Sequence, residues 1–543
     1  MTNEFRVIGP PGTGKTTYLA TQVERAVQAG RRPLITSLTR AAAVEIGSRV
    51  EQGWDFSSDQ VGTLHSHCFR ALGCPQLISK QEHVEDWNKY IREKNPQWEL
   101  SLSVFTNSKG EDEGAARSAL GDGTFLAYNL MRARCVPEEL QPIEVRGFAR
   151  KFREWQAMSH MYDFTDLIER AYHEQVPAPY NPDVIFVDEA QDHDRLELSL
   201  VRQWAKNAEM LVVCGDPDQN LYEWRGAEPE AFYAEEIPDD HYIVLSQSYR
   251  VPAAVHEVAV EMIRRDKGRR NVEYFPRTDR GKAERLWVRM KAAHEVIDFA
   301  QGVVASGRSV MLLATCEYML AGMLKFMRDA GIPWHNPHAP NRGNFNPLGD
   351  RGGITSPQRL LAFLRADERF YGEDARRWTW SELAAWVDPI TCDGFLARGS
   401  KAEVERLGHA RGEALVDMPT LSKLLDPGSG MQELEKMADA PVAWFRARLN
   451  KSRMKAFEFP LAVLNRRGVN GLLEKPQIIV GTIHSVKGGE ADVVVLFPDL
   501  SPQGVDTLGK NPASIYRAFY VGMTRARSEL YLAQNSSGMA LRW

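Results

Sequence analysis

Residues 9–17 constrain the fold more than any other segment of the chain. An apolar run at residues 5–8 predicts a strand before them, and the sequence up to about residue 29 predicts a helix after them. In such a turn glycines let backbone N–H groups point at a phosphate, Lys15 supplies positive charge for the β- and γ-phosphates, and Thr16 offers a hydroxyl group to Mg²⁺. A phosphate-binding loop, or P-loop, is therefore predicted over Gly9, Pro10, Pro11, Gly12, Thr13, Gly14, Lys15, Thr16 and Thr17.

A second signal for phosphate chemistry follows another apolar run, at residues 184–187. Asp188 and Glu189 come directly after this run. Asp188 is placed to hold Mg²⁺ through water, and Glu189 is placed to act as general base on an attacking water molecule. Acidic pairs at strand ends are common, but together with the P-loop this pair predicts a site that hydrolyses a nucleoside triphosphate.

The order of predicted elements indicates a chain with two parallel α/β cores, because strands and helices alternate in two separate regions. The alternation includes a helix predicted over residues 40–50, and it is interrupted twice by mostly helical stretches. The second core is predicted to begin at a strand near Tyr242. The predicted division is a first core of residues 1–67 and 161–241 with an insertion of residues 68–160, and a second core of residues 242–332 and 476–543 with an insertion of residues 333–475.

Composition excludes several other classes of protein. With 43% hydrophobic residues among 543 the chain is too apolar to be disordered. No apolar run reaches the roughly 18–20 residues of a membrane span, and no signal peptide is evident, so we expect a cytoplasmic protein without a membrane partner. Six cysteines without a C-x-x-C pair favour free thiols in a reducing cytosol. A net charge of −5 argues against nucleic-acid binding through a global positive field.

Two segments near the middle of the chain point to a known family. Asp188-Glu189-Ala190-Gln191-Asp192, followed by residues 215–227 with Gly215-Asp216-Pro217-Asp218-Gln219 and Tyr222-Glu223-Trp224-Arg225, resembles motifs II and III of the UvrD/Rep/PcrA-like superfamily 1A DNA helicases. Further segments are similar to the remaining family motifs in the correct order. They are residues 37–46 (Ia), 62–66 (Ib), 163–167 (the short acidic motif before motif II), 245–250 (IV), 480–490 (V) and 520–527 (VI).

This resemblance implies two RecA-like P-loop cores, each interrupted by a mostly helical subdomain, with ATP and Mg²⁺ as cofactors. It implies that Gln219 and Arg225 contact the γ-phosphate from the first core. Arg250 and Arg525 would reach the γ-phosphate from the second core as arginine fingers, so hydrolysis would depend on closure of the cleft. The resemblance further implies that Tyr249 stacks on the base and that Glu490 binds the ribose.

The same resemblance implies a binding path for single-stranded DNA. Trp224 and Tyr222 would stack on bases, a contact that tolerates any sequence. The remaining contacts along the backbone or the coupling path would come from Thr39, Thr63, His65 and His484. For the two histidines a structural hydrogen-bonding role is an alternative to DNA contact, and for Tyr222 the alternative is core packing.

The activity that the resemblance implies is an ATP-driven motor that moves 3′→5′ on single-stranded DNA and unwinds duplex DNA at single-strand/duplex junctions. One alternative is a DNA-stimulated ATPase that displaces bound proteins but unwinds little. Others are a nucleotide-gated DNA-binding adaptor and a motor on RNA. None of the eight residues before Gly9 is the glutamine that reads adenine in the family, so tolerance of other nucleotides is expected.

Two basic segments add a hypothesis about nucleic-acid contact. Residues 262–291 hold eleven basic and four acidic side chains, and residues 446–467 hold seven basic and one acidic. A charged run is usually a solvated face. In an acidic chain these two segments favour nucleic-acid binding, and the second predicts contact with a duplex through Arg446, Arg448 and Lys451.

Overall fold

The computed structural model describes residues 3–38, 46, 60–106, 119–336, 348 and 353–543. Apart from Ile46, the helix predicted over residues 40–50 lies outside these residues, and so does the candidate DNA contact Thr39. Most of the segment similar to motif Ia lies outside them as well. In the described residues no helix is both long and apolar enough to cross a membrane.

The first core is built on a six-stranded sheet in which every described strand pair is parallel. Strand Val184–Val187 is a continuous buried apolar run, as expected for a strand that is covered on both faces. In spatial order the strands are Val61–Gly62, Pro33–Thr36, Val184–Val187, Met210–Gly215, Glu4–Ile8 and Tyr242–Val244. The helices of this core are Lys15–Gln28, Leu64–Ala71, Phe164–His173, Arg195–Ala205 and Pro229–Phe232.

The second core is built on a five-stranded parallel sheet and a small two-stranded parallel sheet. In spatial order the five strands are Ile478–Thr482, Val310–Ala314, Ala491–Leu496, Ala526–Gln534 and Lys282–Arg289. Gln247–Pro252 pairs with Phe275–Arg277 in the small sheet. The helices are Ala253–Ile263, Ala293–Ala305, Glu317–Asp329, Pro502–Lys510 and Pro512–Met523. The two sheets confirm the predicted α/β fold class.

The strand predicted to open the second core lies in the first sheet instead. Tyr242–Val244 pairs with strand Glu4–Ile8, at the edge of the six-stranded sheet. The Arg6 side chain, on the paired strand, also donates a hydrogen bond to the Tyr242 hydroxyl (3.0 Å). The structure therefore extends the first core beyond the predicted boundary at residue 242, and the link to the second core follows this strand.

Both insertions are helical in the residues that the structure describes. The first contains helices Gln81–Arg92, Ser103–Thr106, Asp122–Ala133 and Ile143–Ser159 around an aromatic core that includes Trp87, Phe148 and Phe152. The helices of the second are Ser356–Leu364, Glu368–Tyr371, Trp380–Val387, Ser400–Ala410, Met418–Leu424, Gly430–Asp439, Pro441–Arg448, Lys451–Arg467 and Asn470–Leu473. The second insertion shares one hydrophobic core with the five-stranded sheet.

Candidate functional site

The predicted P-loop connects strand Glu4–Ile8 to helix Lys15–Gln28. Gly14 begins this helix in the left-handed region (φ 82°), and no side chain caps the helix N-terminus. The Lys15 ammonium group donates to the Gly9 carbonyl (2.6 Å), and a Cβ at Gly9 would lie 2.5 Å from Lys15 Cγ. Thr16 lies in the first helical turn. The loop thus leaves a helix N-terminus open to an anion, with a lysine folded against it.

Contacts within the loop fix its shape. The Gly9 N–H donates to the carbonyl of Gly215 on a neighbouring strand (3.1 Å). The Thr13 hydroxyl donates to the Pro10 carbonyl (2.9 Å). Thr17 lies on the exposed side of the following helix. All the predicted P-loop residues therefore lie in one strand–loop–helix unit, as their spacing predicts.

The acidic pair lies two strands away from the loop, at the same edge of the sheet. The Asp188 N–H donates to the Thr36 carbonyl (2.9 Å), and Glu189 has a positive φ (50°), which is uncommon outside glycine. Burial raises the pKa of the Cys214 thiol on the strand between them, the charges of Asp188 and Glu189 raise it further, and Lys15 lowers it. The pKa of one buried thiol thus depends on the charges of the lysine and of both carboxylates.

Lys487 of the second core contacts the carboxylates of Glu189 and Asp192. Its ammonium group donates to the Asp192 carboxylate and to the Gln219 carbonyl (3.1 Å), and it lies 3.7 Å from a carboxylate oxygen of Glu189. Burial raises the pKa of Glu189, but the charges of Lys487 and Lys15, the hydrogen bond from Gln191 and the charge of Arg525 together lower it to about 2. The structure therefore keeps Glu189 ionised. Sequence reasoning assigned no role to Lys487, although it lies within the segment similar to motif V.

Two predicted arginines of the second core, Arg525 and Arg250, lie at the cleft between the two cores. Arg525 donates to the Gln219 side-chain oxygen (2.9 Å), and Gln219 in turn donates to Asp216 (2.7 Å). Burial lowers the pKa of Arg525 to about 9, and the neighbouring charge of Arg250 contributes to this. Arg250 donates to the Glu490 carboxylate (2.6 Å). The residues predicted to bind phosphate and ribose from the second core are thus adjacent.

The second core also contacts the P-loop backbone. The Tyr249 N–H donates to the Gly12 carbonyl (2.8 Å), while the Tyr249 ring is 72% exposed. The Pro11 carbonyl accepts hydrogen bonds from the hydroxyl groups of Ser248 (2.9 Å) and Tyr274 (3.0 Å). Sequence reasoning gave no role to Ser248 or Tyr274, since a contact with a backbone carbonyl leaves no local pattern in a sequence.

Three residues predicted to contact DNA form one cluster where the first core meets His484 of the second core. The Tyr222 ring centroid lies 6.2 Å from that of Trp224 and 6.4 Å from that of His484. Trp224 is 43% exposed, whereas Tyr222 is 8% exposed. Lys487 lies over the Tyr222 ring at 5.5 Å. The cluster therefore shares Lys487 with the carboxylates of Glu189 and Asp192.

Thr63, His65 and Arg225 lie in a different part of the first core. The Thr63 hydroxyl caps helix Leu64–Ala71. The His65 imidazole lies 3.6 Å from the Glu197 carboxylate; burial lowers the pKa of His65 to about 4, while Glu197 opposes and the Arg225 charge adds to this shift. Arg225, predicted at the γ-phosphate, thus exerts its charge on His65, Glu197 and Asp194.

The chemistry of the site residues fits Mg²⁺ and a nucleoside triphosphate. The Thr16 hydroxyl and the Asp188 carboxylate are the oxygen donors that Mg²⁺ prefers, and Mg²⁺ usually takes one or two protein ligands together with substrate phosphates. In the described part of the chain no three or more His, Cys, Asp or Glu side chains are grouped to hold a metal ion. A metal shared with phosphate groups needs no such group.

A P-loop core whose loop and carboxylates are contacted by a second parallel core is the architecture of P-loop proteins with two RecA-like cores. Residues 1–237 match the family described as UvrD/REP helicase N-terminal domain, and residues 477–533 match the family described as UvrD-like helicase C-terminal domain. The chain belongs to the UvrD/Rep-like helicase family.

Curated proteins with similar sequences carry helicase names. The chain is 28% identical to a probable DNA helicase II homolog of Mycoplasma capricolum over 51% of this chain and 41% of that protein. It is 24% identical to the ATP-dependent DNA helicase srs2 of Schizosaccharomyces pombe over 49% and 33%. It is 29% identical to the ATP-dependent DNA helicase PcrA of Bacillus subtilis over 25% and 18%. The chain spans less than half the length of each of these relatives.

Proposed function

We propose that the protein is an ATP-dependent, Mg²⁺-requiring motor that moves on single-stranded DNA and unwinds duplex DNA. The observation that carries this proposal is the meeting of both cores at one cleft, where Lys487 joins Asp192 and Arg525 joins Gln219. Because the contacts cross the cleft, binding of a nucleotide there can change the relative position of the cores. Alternating closure and opening is what a stepping motor needs. Its relatives' names support DNA as the substrate.

In the proposed reaction the P-loop and Lys15 hold the phosphates, and Thr16 and Asp188 hold Mg²⁺, which neutralises phosphate charge when bound. Glu189 accepts a proton from the attacking water, a role that suits a carboxylate kept ionised by neighbouring lysines. Arg250 and Arg525 stabilise the charge that develops on the transferred phosphoryl group. Tyr249 and Glu490 hold the base and the ribose from the second core.

On the DNA side, the exposed Trp224 and the adjacent Tyr222 and His484 form the proposed stacking surface. Thr63 and His65 extend the proposed path along the first core, and Thr39, which lies outside the described residues, stays a predicted DNA contact. The resemblance to the family motifs supports 3′→5′ movement. Substrates with a single 3′ or 5′ overhang test polarity, because only the loaded side permits unwinding.

The proposal is tested by measuring ATP hydrolysis with and without single-stranded DNA. Wild-type protein is expected to hydrolyse ATP faster when single-stranded DNA is present, with Lys15→Ala as the inactive control. Lys510→Ala is a surface control. Lys510 pairs with Asp506 and both side chains are exposed, so this variant should behave as wild type. If the rate of ATP hydrolysis is the same with and without DNA, the motor proposal is refuted and the nucleotide-gated adaptor is favoured. Equal stimulation by RNA would refute DNA specificity.

Unwinding needs a separate measurement. The proposed helicase should separate a duplex with a single-stranded overhang in an ATP-dependent manner. Displacement of streptavidin from biotinylated DNA, measured beside it, reports translocation alone. If streptavidin is released without strand separation, the proposed activity becomes displacement of bound proteins rather than unwinding.

His65→Gln is expected to weaken binding of single-stranded DNA without changing its dependence on salt. A pKa of about 4 keeps the imidazole neutral between pH 6 and 8, so His65 offers a hydrogen bond worth about 1 kcal/mol rather than a charge that releases counterions. The measurement is fluorescence anisotropy of a labelled oligonucleotide across a salt series. A slope that becomes shallower in the variant would show that His65 binds as a cation.

A further inference from the structure

Helix Pro512–Met523 of the second core contacts the segment similar to motif III at two separated points. Arg525, two residues beyond the helix end, donates to Gln219 (2.9 Å). Arg517, within the helix, donates to the Glu223 carboxylate. Arg517 lies six residues before the helix end at Met523, roughly 9 Å along the helix axis, and Arg525 follows two residues after that end. The helix and the residues directly after it therefore span the distance between the predicted phosphate contact and the stacking residues.

The contact at Glu223 joins the two cores through several side chains. Arg517 is buried and also donates to the buried Asp266 of the second core (2.7 Å). Asn511, just before the helix, donates to the second oxygen of Glu223 (2.7 Å). Arg269 of the second core binds Asp218 through both carboxylate oxygens (3.0 and 3.1 Å). The second core thus grips this loop of the first core next to Gln219 and again beside Trp224.

We infer that Arg517 is a positioning residue that transmits movement of the second core to the DNA-stacking side chains. Glu223 lies between Tyr222 and Trp224, so a displacement of the helix that carries Arg517 moves the backbone of both aromatic residues. Arg525, directly after the same helix, donates to Gln219, the predicted phosphate contact, so this helix and its end connect a change at the nucleotide to a change at the stacking surface. This inference rests on the proposed function and deepens it.

The inference is a statement about coupling between two binding sites. If nucleotide binding changes DNA affinity by a given factor, DNA changes nucleotide affinity by the same factor, and typical factors are about 5–150-fold. Removing the contact between Arg517 and Glu223 should reduce this factor toward one, while each site should still bind its own ligand. A residue that only stabilises the fold would instead weaken both sites and lower the melting temperature.

Glu223→Gln is the main test, because it removes the charge pairing across the cleft and leaves Arg517 bound to Asp266. The amide oxygen of glutamine can still accept from Asn511. We expect hydrolysis without DNA and DNA affinity without nucleotide to stay within about twofold of wild type. Both the stimulation of hydrolysis by DNA and the effect of a non-hydrolysable ATP analogue on DNA affinity should fall by about fivefold or more.

The matched control is Glu257→Gln, because Glu257 pairs with Arg280 (3.0 Å) on the exposed surface of the second core alone. A second variant, Arg517→Lys, keeps the charge but loses the planar fork that bridges Asp266 and Glu223, so it should lose part of the coupling. Coupling equal to wild type in both Glu223→Gln and Arg517→Lys would overturn the inference. A wild-type protein whose DNA affinity ignores nucleotide would overturn the motor proposal and this inference together.

Discussion

Glu189→Gln is expected to lower kcat for ATP hydrolysis by about 10²–10⁴-fold, the range for loss of a general base, while nucleotide still binds. The carboxylate lies beside the P-loop lysine and Lys487, whose charges keep it ionised. Glutamine has nearly the same shape and can still accept the hydrogen bond from Gln191 (2.6 Å in the wild type). The change therefore removes the proton acceptor and leaves the surrounding contacts in place.

Single-turnover hydrolysis and binding of a fluorescent ATP analogue separate the two expectations for Glu189→Gln. Glu209→Gln is a suitable control, because Glu209 pairs with Arg31 on the exposed surface of the same core. A variant that retains kcat within about tenfold of wild type would assign the proton acceptor to another group. A large rise in the nucleotide dissociation constant would instead assign Glu189 to binding.

The predictions that succeeded from sequence depend on local patterns. The P-loop is a continuous segment, and the acidic pair follows a run of four buried apolar residues, so each can be recognised without knowing the fold. Strands covered on both faces can also be recognised locally, because they are continuous apolar runs. These patterns were sufficient to place Lys15, Asp188 and Glu189 around one edge of a parallel sheet.

The features that sequence reasoning missed depend on contacts between distant residues. Lys487 and Asp192 are 295 positions apart, and their ion pair forms only when the two cores meet. Arg517 and Glu223 are 294 positions apart and pair across the same cleft. The assignment of Tyr242 to the second core failed for a similar reason, because the strand that pairs with it, Glu4–Ile8, is distant in the sequence. A single charged residue in a sequence does not reveal which opposite charge it meets.

The basic segments show the same limit for charge counts. In residues 262–291, Arg269 is bound to Asp218 and Arg277 to Asp279. In residues 446–467, Arg448 donates to Glu433 (2.6 Å) and to the Asp393 carbonyl (2.8 Å). Cations committed to carboxylates in this way add little to a field that attracts nucleic acid. The duplex contact predicted for the second segment would therefore rest on Arg446 and Lys451 more than on the count of seven basic residues.

Arg132→Met is expected to lower the free energy of unfolding by about 3–5 kcal/mol, because it removes one partner of a buried charge cluster. Arg132 lies on helix Asp122–Ala133 of the first insertion and is almost fully buried. It binds Asp163 (2.9 Å), Asp166 and Glu169 (2.8 Å) of the first core. Without it, several carboxylates remain close together and away from water, at the point where the insertion joins the core.

Equilibrium unfolding in urea measures this loss, and Arg170→Met is the matched control. Arg170 pairs with Glu174 on the surface of the helix that Asp163 caps, so its removal should cost at most about 1 kcal/mol. Adding Asp163→Asn to Arg132→Met should recover part of the stability, because the second change removes a carboxylate that the first leaves uncompensated. If Arg132→Met costs no more than the control, the cluster does not hold the insertion to the core, and the aromatic core of the insertion alone must account for its packing.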